Sequence, residues 1–388
     1  MSASVTGTSC VTDDFVGRLA ERAAEAERLR RLQAATIAEA AEAGLFELLV
    51  PHRFGGTQAP FTAILDPVRR MAHGCASSAW TLGFYTLHCW IMALFDEQAQ
   101  REAFRERPFL APAPLAPTGL AEPERDGYVL SGRWSWATGI HGANWVMVGA
   151  LAMADGAPMP LMALLPVADV RVEDVWHTDG MRATGSDDVV AEKVFVPAHR
   201  VLRIADLYAG GTPGAASHDS DTYRWPMVPA LALLAAMPAL GAAERVADEY
   251  AARLSERVLA YQGVKQKDKP AARIRLGEAR VRLRALHGLL AETTAGIDGI
   301  LAAGERVDKP TRARARLAAA HIVHESRAVI GTLLEASGAS AHLLHNPLQR
   351  AKRDVDVLSG HVVFDYDDIR EIAGSLEIGV PVPPTAMV

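Results

Sequence analysis

The chain has 388 residues, of which 49% are hydrophobic and 22% charged, and 40 basic against 46 acidic side chains give a formal net charge of -6. This balance is ordinary for a globular protein with a sizeable core. Because the charge is slightly negative and no long basic block occurs, neither nucleic acid nor an anionic membrane is expected as a partner.

The three cysteines, Cys10, Cys75 and Cys89, have neither a disulfide pattern nor metal-ligand spacing, so no metal site is expected. Residues 1–15 lack the basic segment and apolar run of a signal peptide. The most apolar stretch, Pro229 to Leu240, is shorter than the roughly 20 residues that span a bilayer. A protein of the reducing cytoplasm, away from membranes, is therefore expected.

The first hundred residues have the apolar spacing of helices. The pattern predicts a first helix from a cap at Asp13 or Asp14 to a stop at Gly44. Three further helices are predicted: Phe61–Ala72, Ser77–Phe95 and Glu97–Arg105. The second of these three is mostly apolar and should be buried. Residues 1–107 are thus expected to form an N-terminal helical domain.

The residue pattern changes at Pro108, where a proline-rich segment that cannot be helical begins. Short β-like runs follow, bounded by Gly, Pro and Asp. The predicted strands are Tyr128–Trp136, Trp145–Met153, Leu161–Pro166, Val170–Trp176 and Val189–Val196. Their short, regular spacing favours a small sandwich or barrel over residues 108–215. A Gly/Ser/Pro-rich stretch, residues 209–221, is predicted to be a loop.

From Trp225 onward the pattern is helical again. Four long segments are predicted: Pro229–Gly263, Pro270–Ala303, Pro310–Ser337 and Pro347–Gly374. Such helices, joined by short loops, indicate a four-helix bundle over residues 216–388. Their second apolar faces need partners, which predicts a homotetramer or homodimer. The expected fold class is α+β, with a helical domain, a small β domain and a helical bundle in that order.

Four segments carry a resemblance to a known family: CASSAWTLGFYTLHCWIMALF (75–95), GYVLSGRWSWATGIHGANWVMVGA (127–150), GMRATGSDDVVAEKVFVPAHRV (180–201) and NPLQRAKRDVDVLSGHVVFDYD (346–367). With the domain order, they make nearly the whole chain resemble the acyl-CoA dehydrogenase superfamily. The resemblance is to its oxygenase branch, the two-component hydroxylases of p-hydroxyphenylacetate or of a steroid-derived phenol. It implies an enzyme that hydroxylates a small aromatic or phenolic substrate with O2 through a flavin C4a-hydroperoxide. A separate reductase would supply the reduced FMN or FAD.

The resemblance also implies which residues meet the flavin. In the similar oxygenases a Ser or Thr contacts flavin N5 at the position of Thr138, and Trp136 would provide a flat apolar shelf beside the ring. Thr184 and Ser186 lie in a loop that approaches the ring or the ribityl chain. Arg273 corresponds to a region that supplies a basic residue for the flavin phosphate, sometimes from a neighbouring subunit.

Two histidines are candidates for the chemistry itself. The resemblance places His361 beside the flavin, where an imidazole with an unperturbed pKa of about 6.5 can accept a phenol proton near neutrality. His88 corresponds to a histidine on the substrate side. Trp80, Tyr85 and Trp90 of the same predicted helix are further candidates for the pocket.

Other functions stay open at this point. An acyl-CoA dehydrogenase-like desaturase would need a carboxylate base, and Glu371, the nearest candidate, lies well past the motif. The same scaffold also supports N-oxygenation of an amine or amino sugar, and a cofactor-free helical scaffold is a third alternative. No GxGxxG follows a strand, so the chain is not expected to reduce its own flavin with a nicotinamide. Where some relatives have a small hydroxyl residue touching substrate, just before the β domain, this chain has the segment Pro112-Ala113-Pro114, which leaves the substrate class open.

Overall fold

The computed structural model describes residues 10–154, 156–256, 258, 263, 265–383 and 386–388. Residues 1–9, most of the N-terminal segment in which a signal peptide is not expected, lie outside the described residues. Five helices come first: α1 (Asp13–Leu29), α2 (Ala34–Glu42), α3 (Leu65–Gly74), α4 (Ala76–Met92) and α5 (Glu97–Ala103). Helix α4 is buried along nearly its whole length, as its apolar sequence predicts.

The predicted first helix differs from the structure at its start and in its middle. Thr12, not an aspartate, is the cap, because its Oγ1 accepts a hydrogen bond from the Phe15 amide at 3.2 Å. The helix then stops where Arg30 takes a left-handed conformation with φ 55°. Its amide bonds back to the Ala26 and Glu27 carbonyl oxygens, which ends α1, and the chain becomes helical again at Ala34.

Seven strands follow: β1 (Gly119–Glu124), β2 (Gly127–Trp134), β3 (Trp145–Ala154), β4 (Ala157–Pro166), β5 (Arg171–Glu173), β6 (Asp188–Pro197) and β7 (Val201–Arg203). They form one sheet in the order β5-β6-β2-β1-β3-β4-β7. The described strands therefore belong to one hydrogen-bonded sheet, and its closure into a sandwich or barrel stays a prediction. Strand β1, which the sequence analysis missed, pairs antiparallel with β2 and parallel with β3 and so joins both halves into one sheet.

The predicted strand Val170–Trp176 is also too long. Only Arg171–Glu173 pairs with β6. The amides of Val175 and Trp176 donate instead to the Asp187 carboxylate, each at 2.8 Å, which takes them out of the strand ladder. The predicted loop at residues 209–221 likewise contains a short helix, α7 (Pro213–Ser217), after α6 (Ile204–Ala209), because Thr212 caps it and Pro213 fits its first turn.

The C-terminal helices are α8 (Met227–Glu256), α9 (Pro270–Ala302), α10 (Lys309–Glu335), α11 (Pro347–Leu358) and α12 (Tyr366–Glu377). The predicted end of the first bundle helix at Gly263 follows a stretch, residues 257–262, of which the structure describes only residue 258. Helix α8 is long and apolar enough to cross a membrane, but 94% of its most apolar window is buried inside the protein. It is the core helix of the bundle.

The predicted helix Pro347–Gly374 is broken between α11 and α12. The guanidinium of Arg316, itself only 1% exposed, donates to the carbonyl oxygens of Val362 and Val363 at 3.1 and 3.0 Å. Val362–Phe364 form a single 3-10 turn and not a continuous α-helix, and Asp365 caps α12 by accepting from the Asp368 amide. His361 consequently lies in the connection and not within a helix. The order of helices, sheet and helices confirms the α+β fold class, while the domain boundaries stay predictions.

Candidate active site

A cavity of about 370 Å³ lies between α4, the sheet and the break after α11. The structure brings six of the seven predicted site residues to it: His88, Trp136, Thr138, Thr184, Ser186 and His361. A second cavity, of about 380 Å³ between Trp90 and the start of α10, contains none of them. The first cavity is therefore the candidate active site.

One wall of the cavity is aromatic and comes from α4. Trp80, Phe84 and His88 follow one another at a spacing of four residues, so they share one helix face. The ring centroids of Trp80 and Phe84 are 4.7 Å apart, and those of Phe84 and His88 are 5.5 Å apart. Of the other predicted pocket residues on this helix, Tyr85 is buried in the core and Trp90 lines the second cavity. The helical spacing from His88 is the signal that selects Phe84.

His88 is buried and neutral. Its Nδ1 lies 2.5 Å from the Ala111 carbonyl oxygen, which can only accept, so Nδ1 carries the hydrogen. Nε2 is then the unprotonated nitrogen, and it has no partner within the described part of the chain. Burial lowers the pKa of His88 to about 4, because the charged form is desolvated, while the Ala111 carbonyl partly opposes this shift. His88 therefore presents a hydrogen-bond acceptor at the cavity.

His361 has the opposite hydrogen-bonding arrangement to His88. Its Nδ1 accepts a hydrogen bond from the Val363 amide at 3.2 Å, so in the neutral ring the hydrogen is on Nε2. The ring is exposed at the cavity, 5.7 Å from the Trp80 ring. Desolvation by the surrounding walls lowers the pKa of His361 to about 4. In this neutral form His361 presents a donor at the cavity, whereas its expected role as acceptor of a phenol proton stays a prediction.

Three hydroxyl groups lie in a line along the opposite wall. Thr184 Oγ1 is 2.7 Å from Ser186 Oγ, which is 2.9 Å from Thr138 Oγ1. Thr184 also donates to the Met181 carbonyl oxygen at 2.9 Å. Thr184 and Ser186 are buried, so this line links the loop before β6 to the hydroxyl of Thr138 at the cavity.

Asp354 holds that loop in place. Its carboxylate accepts from the Met181 amide at 2.6 Å and from the Ser77 hydroxyl at 3.3 Å. Burial raises the pKa of Asp354 to about 6. The neighbouring Arg353 forms an ion pair of 2.5 Å with Glu27. The pair Arg353 and Asp354 thus joins α11 to the cavity loop and to α1, and does not form an ion pair within itself.

Family models and relatives agree on the family to which this chain is related. The model of the acyl-CoA dehydrogenase N-terminal domain matches residues 11–107, and that of the C-terminal domain matches residues 233–366. The flavin-dependent monooxygenase oxygenase subunit HsaA of Rhodococcus jostii strain RHA1 is 33% identical over 96% of this chain and 98% of that protein. The chain belongs to the acyl-CoA dehydrogenase superfamily, in its flavin-dependent monooxygenase branch.

Other members of this branch extend the likeness. The oxygenase component of the FADH2-dependent resorcinol hydroxylase of a Rhizobium species is 28% identical to this chain over 94% of each protein. The crystal structure of 3-HSA hydroxylase from Rhodococcus sp. RHA1 superposes on this monooxygenase with a TM-score of 0.92, at 33% identity over 97% of both chains. The likeness therefore covers sequence and fold along the whole monooxygenase.

The residues at the cavity fit a flavin ring. Trp136 is 69% exposed although it is a large aromatic residue, and it has a positive φ of 69°. This conformation is strained for a non-glycine residue and is typical of functional sites. Together with Trp80 and the Thr138 hydroxyl, it offers flat apolar surfaces beside a polar anchor. Trp136 and Thr138 would meet the ring of the monooxygenase's flavin, and Thr184 and Ser186, which also line the cavity, would hold Thr138 in place.

Arg273 is the one predicted site residue that does not reach the cavity. It lies at the exposed start of α9, and its guanidinium contacts only the Lys267 carbonyl oxygen, at 3.5 Å, within the described part of the chain. A role in flavin binding would require a second copy of the monooxygenase. Ala113 does line the cavity, so the hydroxyl that some relatives are expected to have there is replaced by a methyl group.

Proposed function

We propose that this monooxygenase hydroxylates an aromatic ring that bears a hydroxyl group, using reduced FMN or FAD from a separate reductase. One observation carries the proposal: His88 presents an acceptor and His361 a donor at one aromatic-walled cavity. A phenol hydroxyl can donate to the first and accept from the second. A carboxylate could not satisfy His88, and an ether could not donate to it.

The pKa of His88 limits what this residue does before the reaction. A free phenol has a pKa of about 10, and that of His88 is about 4. Full proton transfer from a phenol to His88 is therefore strongly unfavourable before the reaction. His88 therefore holds a neutral phenol by a hydrogen bond and accepts its proton only as negative charge leaves the oxygen during the reaction.

When bound, reduced flavin supplies the two electrons with which O2 gives one atom to the ring and the other to water. The protein's own contribution is to place the substrate and exclude solvent. Trp80, Phe84 and Trp176 form apolar walls, and Val362 closes the side next to His361. These walls also explain why both imidazoles remain neutral.

The desaturase alternative is not favoured by this geometry. The described residues that line the cavity include no Asp or Glu to serve as its base. Glu371 is exposed in α12, where it accepts a hydrogen bond from Ser375 at 2.9 Å. No observation specifically favours N-oxygenation of an amine or amino sugar.

The test is hydroxylation by the full chain, given reduced flavin from an unrelated reductase and ¹⁸O2. Phenols and their methyl ethers serve as paired substrates, and products are identified by mass. We expect one labelled oxygen in the phenol products and none in the ethers. His88→Leu should lower turnover by about 100-fold, whereas His345→Leu, an exposed histidine on the connection before α11, should not. Equal turnover of phenol and ether would contradict the proposal.

We also propose a cytoplasmic homotetramer or homodimer. The outward side of α9 exposes Ile274 at 67% and Val281 at 68%, and their spacing of seven residues puts them on one face. Burial of this face against a second copy would bring Arg273 to a subunit boundary, where it could meet the phosphate of a neighbour's flavin. Free thiols at all three cysteines agree with a reducing compartment.

A further inference from the structure

The hydroxyl groups of Thr184, Ser186 and Thr138 have a fixed direction of donation. The Met181 carbonyl oxygen at the end of the line has no hydrogen, so Thr184 donates its only hydroxyl hydrogen to it. Thr184 must then accept from Ser186, and Ser186 must accept from Thr138. The hydrogen of Thr138 therefore points away from the cavity, and a lone pair of its oxygen is left for a ligand.

The protein holds the end of this line firmly. The Met181 carbonyl oxygen also accepts from the indole nitrogen of Trp176 at 2.9 Å. The Met181 amide is bound by Asp354 at 2.6 Å. If the line were reversed, Thr184 would turn from Met181 to Ser186, and one of three internal hydrogen bonds would be lost at a buried position.

We propose that this line of hydroxyl groups makes the protein select reduced over oxidised flavin. The proposal rests on the flavin function argued above. In oxidised flavin, N5 is only an acceptor, whereas in reduced flavin it carries a hydrogen. A ring held with N5 at Thr138, as the resemblance implies, would be matched when reduced, because its N–H would meet a lone pair. When oxidised, it would face lone pair against lone pair unless one hydrogen bond of the line were given up.

The expected selectivity follows from one hydrogen bond. The net contribution of one hydrogen bond changes an equilibrium constant by roughly 3- to 10-fold. We therefore expect the line of hydroxyl groups to raise the ratio of oxidised to reduced flavin dissociation constants by this factor. Thr184 and Ser186 thus act as positioning residues for Thr138. Their effect is on which redox state binds, more than on how tightly a flavin binds.

The experiment measures dissociation constants for oxidised and for anaerobically reduced flavin in the same full-length protein. Thr184→Val keeps the side-chain shape but removes the hydroxyl that sets the direction. We expect it to lower the ratio of oxidised to reduced dissociation constants by roughly 3- to 10-fold, mainly through tighter binding of the oxidised form. A tenfold change equals about 30 mV in the two-electron potential of bound flavin, which gives an independent readout.

Thr178→Val is the matched control, because Thr178 donates to the Gly180 carbonyl oxygen in the same loop but contacts no member of the line. It should leave the ratio unchanged. Ser186→Ala interrupts the same line and should act like Thr184→Val, so it decides the matter if Thr184→Val does not fold. An unchanged ratio in the folded line variants would overturn the proposal. Failure of the wild-type protein to bind either flavin form would instead refute the flavin function itself.

Discussion

His88 and His361 differ at the scale of single atoms. Each ring has one nitrogen engaged by the backbone, but His88 donates to a carbonyl and His361 accepts from an amide. The backbone thereby assigns opposite roles to the two Nε2 atoms. A sequence contains no information on this choice, because it depends on which backbone group lies next to each ring.

The lowered pKa of His88 gives a pH profile for activity. Because its pKa is about 4, His88 is already an acceptor throughout the range from pH 6 to 8. We expect kcat/KM for a phenol to be flat there, measured with a saturating supply of reduced flavin. A histidine with an ordinary pKa would instead produce an inflection near about 6.5. Such an inflection, abolished in His88→Leu, would contradict the structure's assignment.

The same pKa predicts acid lability of the fold. The pKa of His88 is lower in the folded state than the roughly 6.5 of an unfolded histidine, so the unfolded chain binds more protons between these values. Stability is then present above about pH 6.5 and is lost as the pH falls towards 4, by roughly 3 kcal/mol from this residue. Urea unfolding of wild type and His88→Leu at pH 7 and pH 4.5 measures it. The variant should lose less stability than the wild type, and an equal loss would refute the assignment.

At the scale of elements, the break between α11 and α12 makes the site possible. A continuous helix over Pro347–Gly374 would have used the Val362 and Val363 carbonyl groups internally. Arg316 binds both of them and also pairs with Asp368 at 3.0 Å. The connection that results places His361 at the cavity with its Nδ1 towards Val363.

Replacing Arg316 should therefore affect both stability and the site. Arg316→Met would remove the guanidinium that donates to the carbonyl oxygen of the buried Val363 and that pairs with Asp368, which we expect to lower the free energy of unfolding by about 3 kcal/mol. Turnover should fall as well, because His361 loses its fixed position. Arg314→Met, on the exposed side of the same helix, is the control and should change neither quantity appreciably. Normal turnover in a destabilised Arg316→Met would show that the connection keeps its shape without this guanidinium.

Much of the element pattern could be predicted from sequence alone. The apolar run of α4 and the strands Trp145–Ala154 and Asp188–Pro197 have strong local periodicity, and they were found nearly in full. The breaks were not found, because their causes are distant or backbone-specific. Arg316 is 46 positions from Val362, and Asp187 binds amides 11 and 12 positions away. Strand β1 was missed because its proline-containing segment, GLAEPE, has no strand-like alternation.

At the scale of the whole molecule, the cavity lies where three parts of the chain meet. The helical region supplies His88, the sheet and its loop supply Thr138 and Ser186, and the connection after α11 supplies His361. The resemblance to a family predicted which residues would come together, whereas residue patterns alone predicted only the elements. Arg273 lies outside the cavity, so a single copy of the chain gives this residue no role in flavin binding.

The proposed homo-oligomer would give Arg273 a role if α9 is a contact surface. We expect the purified protein to be a dimer or tetramer by light scattering, and Val281→Lys to shift it towards the monomer, because a charge in place of an exposed apolar side chain is costly to bury in a contact surface. Arg273→Ala should weaken binding of reduced flavin roughly tenfold through loss of a phosphate contact, while Arg284→Ala, exposed further along α9, should not. If Arg273 acts from a neighbouring subunit, Val281→Lys must weaken flavin binding to the same degree, although residue 281 itself touches no flavin. A monomeric Val281→Lys that binds flavin at full strength would exclude a contribution from the second copy.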